Sequence, residues 1–234
     1  MPSGTSCNPS CSHRPSLKQY GLQHPATNPR LDLYQSSDGR NLGGNDDWKQ
    51  GANWRLVQSF NLNPSDDHDP VVVATLAPGL YTAQVSDSGG ANGIGIAEIF
   101  AIDSQSADRL SAVSTRGLVG TGEASMIAGF ITQQATTLVI RTQGPSLTRY
   151  GVTGVVFGTK LTLYRQSGGA VLKVNTGWNA TGNERLKTDL ASYAPLDARE
   201  AALVVTLPAG AYTAIVENTD GTPGVGIVEV YRVN

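Results

Sequence analysis

Several residue groups in this 234-residue chain carry side chains capable of chemistry. Ser86-Asp87-Ser88-Gly89-Gly90 touches the Asp-Ser-Gly-Gly string found around a serine-protease nucleophile. A triad also needs a base bonded to the nucleophile and an acid that orients the base. The three histidines are His13, His24 and His68, and nothing in the sequence assembles the set around them. Asn45-Asp46-Asp47 and Asp66-Asp67-His68-Asp69 are the densest oxygen-rich clusters. Calcium takes about six to eight oxygens, which loops between strands can supply. Asn45, Asp46, Asp47, Asp66 and Asp69 are therefore candidate calcium ligands, with turn capping by Asn and Asp as the other reading. Trp48, Trp54 and Trp178, with Tyr20, Tyr150 and Tyr193, could stack on sugars. Cys7 and Cys11 could close a local disulfide or bind metal with His13, but two thiols and one imidazole make an incomplete zinc site.

The elements that would position these groups come from an internal repeat. Pro15-Ser16-Leu17-Lys18-Gln19-Tyr20-Gly21 returns as Pro145-Ser146-Leu147-Thr148-Arg149-Tyr150-Gly151. Asn45 and Trp48 match Asn175 and Trp178, and Leu56 matches Leu186. After a one-residue insertion, Asp69 matches Glu200, Leu76 matches Leu207, Tyr81 matches Tyr212 and Glu98 matches Glu229. One indel over that span implies one fold present twice.

The shared part reads as strands. Residues 30–35 and 160–165 alternate Leu with polar residues, the period of a half-buried strand. Residues 71–76 and 203–207 are β-branched runs, and Pro/Gly turns lead into 80–85 and 211–216. A last strand is expected at 93–102 and 224–233. The spacing of Leu186, Leu190 and Tyr193 predicts a helical turn over 183–193. Residues 111–144 have no counterpart before the first copy, and they add about three strands, at 110–114, 125–132 and 136–142.

The fold expected is all-β: two tandem antiparallel β-sandwich, jelly-roll-like units, the first lacking its opening strands. Residues 1–14 form an unrelated, disordered tail, 15–103 the incomplete unit and 104–234 the complete one. Charged residues are only 15% of the chain and Gly numbers 27, which favours turn-rich β structure over helices. A net charge of −2 with dispersed Lys and Arg gives no nucleic-acid stripe. No apolar run reaches a membrane span, and the first residues lack the apolar core of a signal peptide.

Comparing the copies weighs the chemistry. The serine string aligns with Glu217-Asn218-Thr219-Asp220-Gly221, a polar hairpin turn, so it reads as a turn. The first acidic cluster aligns with Asn175-Thr176-Gly177, so a calcium site common to both units is not expected. Trp48 and Trp178 match at a turn, which suggests packing, whereas Trp54 aligns with Glu184 and is the candidate sugar contact. Glu98 and Glu229 recur between apolar neighbours, and a charge held there needs a partner. Arg141 or Arg116 is the expected partner of Glu229, as structural glue.

Ser114-Thr115-Arg116-Gly117, Val119-Gly120-Thr121-Gly122, Leu138-Val139-Ile140-Arg141 and Gly144-Pro145-Ser146-Leu147 stand in order. They are followed by Leu-x-Leu, Asn-x-x-Trp and Leu-Pro-x-Gly-x-Tyr-Thr motifs. This series resembles a tandem repeat of large secreted bacterial surface proteins, and its later half resembles the bacterial pre-peptidase C-terminal sandwich. The resemblance covers the second unit fully and the first in part. It implies a non-catalytic module, structural, adhesive or assembly-forming, at the cell surface or outside the cell. The alternative is a polysaccharide- or polymer-binding accessory module of a secreted enzyme, stabilised by calcium. Expected partners are neighbouring β-sandwich modules or other copies of the chain, joined by strand or edge pairing, because the first unit should expose sheet edges. Its late start is read either as a fragment of a longer array or as a deliberately incomplete domain.

Overall fold

A computed structural model of the chain describes residues 24–102, 111–180 and 182–233. The expected tail, Cys7, Cys11, His13, Tyr20 and most of the segment joining the units lie outside the described residues. The chain is all-β, with eleven antiparallel strands among the described residues. It divides into two compact units, Met1–Arg109 and Leu110–Asn234.

The second unit is a sandwich of two four-stranded sheets. Its strands are β4 (Ala112–Val119), β5 (Met126–Thr132), β6 (Thr136–Gln143), β7 (Thr159–Arg165), β8 (Val171–Asn175), β9 (Ala202–Leu207), β10 (Gly210–Asn218) and β11 (Gly224–Arg232). One sheet runs β5-β10-β7-β8 and the other β4-β11-β6-β9. Alternation along each strand sends one face inward. Leu138, Ile140, Leu203, Val205, Leu207 and Val228 from one sheet meet Leu161, Leu163, Tyr212, Ala214 and Val216 from the other. Each buried Leu, Ile or Val among them contributes about 1.5–3 kcal/mol. A second cluster forms on the far face of β6 and β9, where Val139 and Ala202 pack with Leu186 and Leu190. β6 therefore has apolar residues on both faces and feeds both clusters.

Among the described residues the first unit holds one three-stranded sheet, β2-β1-β3, made of β1 (Pro29–Gln35), β2 (Asn41–Asn45) and β3 (Tyr81–Asp87). Its registers match those of β8-β7-β10. Leu31 faces Asn45 as Leu161 faces Asn175, and both pairs bulge at the next Leu-Tyr step. Leu33 faces Ala83 as Leu163 faces Ala214. Tyr81 Oη donates to the Ala77 carbonyl at 2.7 Å, and Tyr212 Oη to the Pro208 carbonyl at 3.0 Å. This bond gives the Pro/Gly-x-Tyr corners of both units their shape.

Three expectations change. Residues 71–76 and most of 93–102 form no strand, although their counterparts are β9 and β11. A ladder needs a partner, and in the second unit that partner is β6 for both. Residues 183–193 are two 3-10 turns, Glu184–Lys187 and Ala191–Tyr193, separated where Thr188 adopts φ −129° and ψ −106°. β4 is longer than the 110–114 expected and runs through Gly117.

Gly144 shows why the Gly-Pro-Ser-Leu turn needs its glycine. A Cβ there would lie 2.4 Å from the buried Val156 Cγ2. Gly144→Ala should cost the chain about 1–3 kcal/mol in urea unfolding followed by circular dichroism. A change within about 0.5 kcal/mol would show that the site relaxes freely.

Candidate functional site

Charge inside the second unit is organised at two carboxylates. Glu229 on β11 faces Arg141 on β6 in the ladder, and Arg141 Nε donates to Glu229 Oε2 at 2.5 Å. Gln143 Nε2 donates to the same oxygen at 2.8 Å, and Tyr231 Oη donates to Oε1 at 2.6 Å. Arg141 Nη1 also donates to the Tyr193 carbonyl at 2.9 Å, so the group ties β6, β11 and the helical turns together. Arg116 is exposed on β4, opposite Ile227, and Arg141 makes the bond to Glu229. Burial acts to lower the Arg141 pKa, but the Glu229 hydrogen bond and charge outweigh it, so the net direction is up. Burial, with the hydrogen bond to Glu229 adding to it, pushes the Tyr231 phenol up to about 12.

Glu200 is fully buried. Its Oε1 accepts from the Gly144 N–H at 2.8 Å, the Ser146 N–H at 2.9 Å and the Ser146 hydroxyl at 2.6 Å. Oε2 accepts from the Asp197 N–H at 3.2 Å. A buried carboxylate with several donors is stable there and fixes the loops that supply them. Sequence reasoning did not single out Glu200. The available signal was its match to Asp69 together with the repeated Pro-Ser-Leu string.

The acidic residues of the first unit have local roles. Asn45 Nδ2 donates to the Val71 carbonyl at 2.8 Å, and its Oδ1 accepts from the Val71 N–H at 3.0 Å. Asp47 Oδ1 lies 2.8 Å from His68 Nδ1, and the Asp47 hydrogen bond raises the imidazole pKa. Asp66 accepts from the His68 N–H at 3.0 Å, while Asp67 pairs with Lys49 at 2.6 Å. Asp69 is buried, and its carbonyl accepts from the Trp48 N–H at 3.1 Å. The Glu200 carbonyl accepts from the Trp178 N–H in the same way, at 2.8 Å. Among the described residues, no group of three or more His, Cys, Asp or Glu is placed to hold a metal.

Trp48 is buried, and Trp178 packs against the Leu186 cluster. Trp54 opens the helix α1 (Trp54–Ser59), half-buried, with the Arg55 guanidinium 4.5 Å from its ring centroid. Asp87 of the serine string is a turn acceptor. Its Oδ2 takes the Asn28 N–H at 3.1 Å and the Thr27 N–H at 3.0 Å, and its Oδ1 takes the Gly89 N–H at 2.9 Å. The Asn28 bond leads in holding its pKa below the ordinary value.

The largest departure between the units is an exposed apolar surface on the first. Leu76 is 42% exposed where Leu207 is 6%, Phe60 is 44% where Leu190 is 7%, and Leu56 is 41% where Leu186 is 1%. Ile99 and Phe100, matching Val230 and Tyr231 of β11, are also exposed. Beyond one bridge, Pro25 with Ile94, neither 71–76 nor 93–102 joins a ladder among the described residues. That bridge matches Val155 with Val225 in the second unit, so the segment starts in place and then joins no further ladder among the described residues. Among the described residues β3 pairs with β1 alone, whereas β10 lies between β5 and β7. This surface is the candidate functional site.

No protein family matches the sequence, and neither does any curated protein. Among solved structures, the chain is similar to the pre-peptidase C-terminal domain of collagenase from Bacillus anthracis. The identity is 15% and the TM-score 0.32, over 50% of this chain and 87% of that chain. It is also similar to a structure of infectious bursal disease virus, Gt strain, at 8% identity and a TM-score of 0.21, over 95% of this chain and 58% of that one. Neither likeness carries a site residue over to this chain.

Removing one partner of the Arg141–Glu229 pair leaves a buried charge uncompensated. Arg141→Leu should cost about 3 kcal/mol in urea unfolding, and Arg141→Leu with Glu229→Leu should cost less than Arg141→Leu alone. Additive losses would show that the two residues act independently.

Tyr231 should mark the alkaline limit. Folding favours its neutral phenol, so this stabilisation is present below the ordinary tyrosine range and is lost as pH rises through about 12. An ultraviolet titration should lose one late-ionising tyrosine in Tyr231→Phe; an unchanged titration would contradict the assignment. Asp197 has the opposite sign. The Arg199 hydrogen bond leads in lowering its pKa from 3.8 to about 2. Its contribution is present above the ordinary Asp value and is lost as pH falls to about 2, so Asp197→Asn should flatten the acid limb of stability.

Proposed function

We propose that this chain is a non-catalytic structural module of a secreted or surface-attached bacterial protein. It acts by assembly, joining another β module along the unfinished side of its first unit. The observation that carries this reading is the burial contrast at matched positions, such as Leu76 at 42% against Leu207 at 6%. Exposed apolar side chains on extended segments that join no ladder among the described residues favour pairing with another chain, and folds that must remain alone usually blunt such edges. Here the segments present Leu76, Ile96, Ile99 and Phe100 instead of Lys or Pro. The motifs that resemble repeats of secreted bacterial surface proteins support the location outside the cell. The buried carboxylates support a structural role, since Glu200 and Glu229 are committed to hydrogen bonds inside the second unit.

Amide hydrogen exchange on the chain alone tests the open surface. The amides of β9 and β11 should be strongly protected. Those of 72–76, which join no ladder among the described residues, should exchange much faster. Equal protection of the two sets would mean that the first unit is already closed, and the assembly reading would lose its surface.

A further inference from the structure

The sheet β5-β10-β7-β8 has a second face, turned away from the core. Its rows follow from the registers. Ile127 stands beside Ile215, Ile215 beside Thr162, and Thr162 beside Val174. In the next row Tyr164 stands beside Val171, and further along β5 Ile131 stands beside Ala211. Ile127, Ile131, Val171 and Val174 are each more than half exposed, Ile131 at 77%. Scattered apolar residues on a surface need no explanation, but an apolar face spread over four strands marks an interaction site.

The first unit supplies the comparison. Its sheet β2-β1-β3 has the same registers, yet Asp32 stands where Thr162 does, Asn41 where Val171 does and Gln84 where Ile215 does. Arg30 donates to the two oxygens of Asp32 at 2.7 and 2.8 Å, and Asn41 Nδ2 donates to Asp32 Oδ1 at 3.4 Å. The same fold thus carries a polar, internally bonded face in one unit and an apolar face in the other. The apolar character is not a requirement of the fold.

We propose that this face joins two copies of the chain, sheet against sheet, through their second units in an isologous contact. A second copy is the occupant whose chemistry matches. The corresponding face of the first unit would have to bury its Arg30–Asp32 pair against Ile and Val, at a desolvation cost. Two second-unit faces meet as apolar on apolar, at the ~10 Å spacing of packed sheets. Lys160 and Glu217, at one end of the face, pair with each other at 3.0 Å and bring no net charge to the contact. Four strands about 4.8 Å apart, each of about seven residues at 3.3 Å, give a face of roughly 440 Å2. Two copies remove roughly 900 Å2 from water, below the ~1,200–2,000 Å2 of stable complexes. The contact is therefore weak and reversible. It lies apart from the open side of the first unit and does not rest on the assembly reading.

Sedimentation equilibrium of the full chain tests it. The weight-average mass should rise towards twice that of the chain, with a dissociation constant on the order of 100 μM. An isologous contact meets each substitution twice, so Ile131→Lys and Val174→Lys should each weaken association at least about tenfold. Both positions are exposed, so both variants should keep the parent's urea midpoint at concentrations where the chain is monomeric. Leu76→Lys, on the first unit, should leave association unchanged. A chain that stays monomeric up to about 1 mM would overturn the proposal. So would association that survives both lysine substitutions on the face. Association that Leu76→Lys removes would also overturn it, because the first unit would then be part of the contact. None of these results alters the exchange test of the first unit, so the two readings fail separately.

Discussion

The structure depends on a central strand that is apolar on both faces. β6 supplies Leu138 and Ile140 to the space between the sheets and Val139 to the opposite side. It also supplies Arg141, whose bond to Glu229 fixes its place against β11. Both β9 and β11 use β6 as a ladder partner, so two of the three ladders in the β4-β11-β6-β9 sheet depend on it. An extended segment of β-branched residues has the propensity for a strand, but it becomes one only when its backbone groups find a second chain segment.

The first unit separates what depends on that strand from what does not. Its three-stranded sheet keeps the register, the bulge and the tyrosine corner found in β8-β7-β10, because these are made by contacts within the sheet. The Asn45 and Trp48 turn also forms, held by the Asn45 side-chain amide on the Val71 backbone and by the Trp48 N–H on the Asp69 carbonyl. What differs among the described residues is the ladder through 71–76 and 93–102, together with the burial of Leu56, Phe60 and Leu76. Both described hydrophobic clusters belong to the second unit, as expected if closing the sandwich is what removes these side chains from water.

The sequence was legible where the signal is local. The Leu alternation in 31–33 and 161–163 marks β1 and β7, and the Tyr corners mark the starts of β3 and β10. Glu229 was recognisable because a charge between apolar neighbours needs a partner, and β6 offered one in Arg141. β2 and β8 were not legible. β2 is Asn-Leu-Gly-Gly-Asn, and β8 is mostly exposed, so neither shows a buried alternation. The helical spacing of Leu186, Leu190 and Tyr193 is real, but Asn183 Nδ2 bonds the Trp178 and Ala202 carbonyls and the chain turns tightly instead. Glu200 escaped because an acidic residue in a polar loop reads as surface, while its donors, Gly144 and Ser146, lie far away in sequence. The strands expected at 71–76 and 93–102 differ for the converse reason: the propensity is present, but among the described residues neither segment joins a ladder beyond the Pro25–Ile94 bridge.

The central claim is that β6-type pairing, and not a defect in the first unit's own residues, separates the open unit from the closed one. Scanning calorimetry on a chain with a copy of residues 111–144 joined ahead of Pro15 tests it directly. The account predicts a larger unfolding enthalpy, growing by about 0.7 kcal/mol for each residue brought into the cooperative fold, relative to the parent chain. An unchanged thermogram would contradict it, because residues able to complete the sandwich would then be present without completing it.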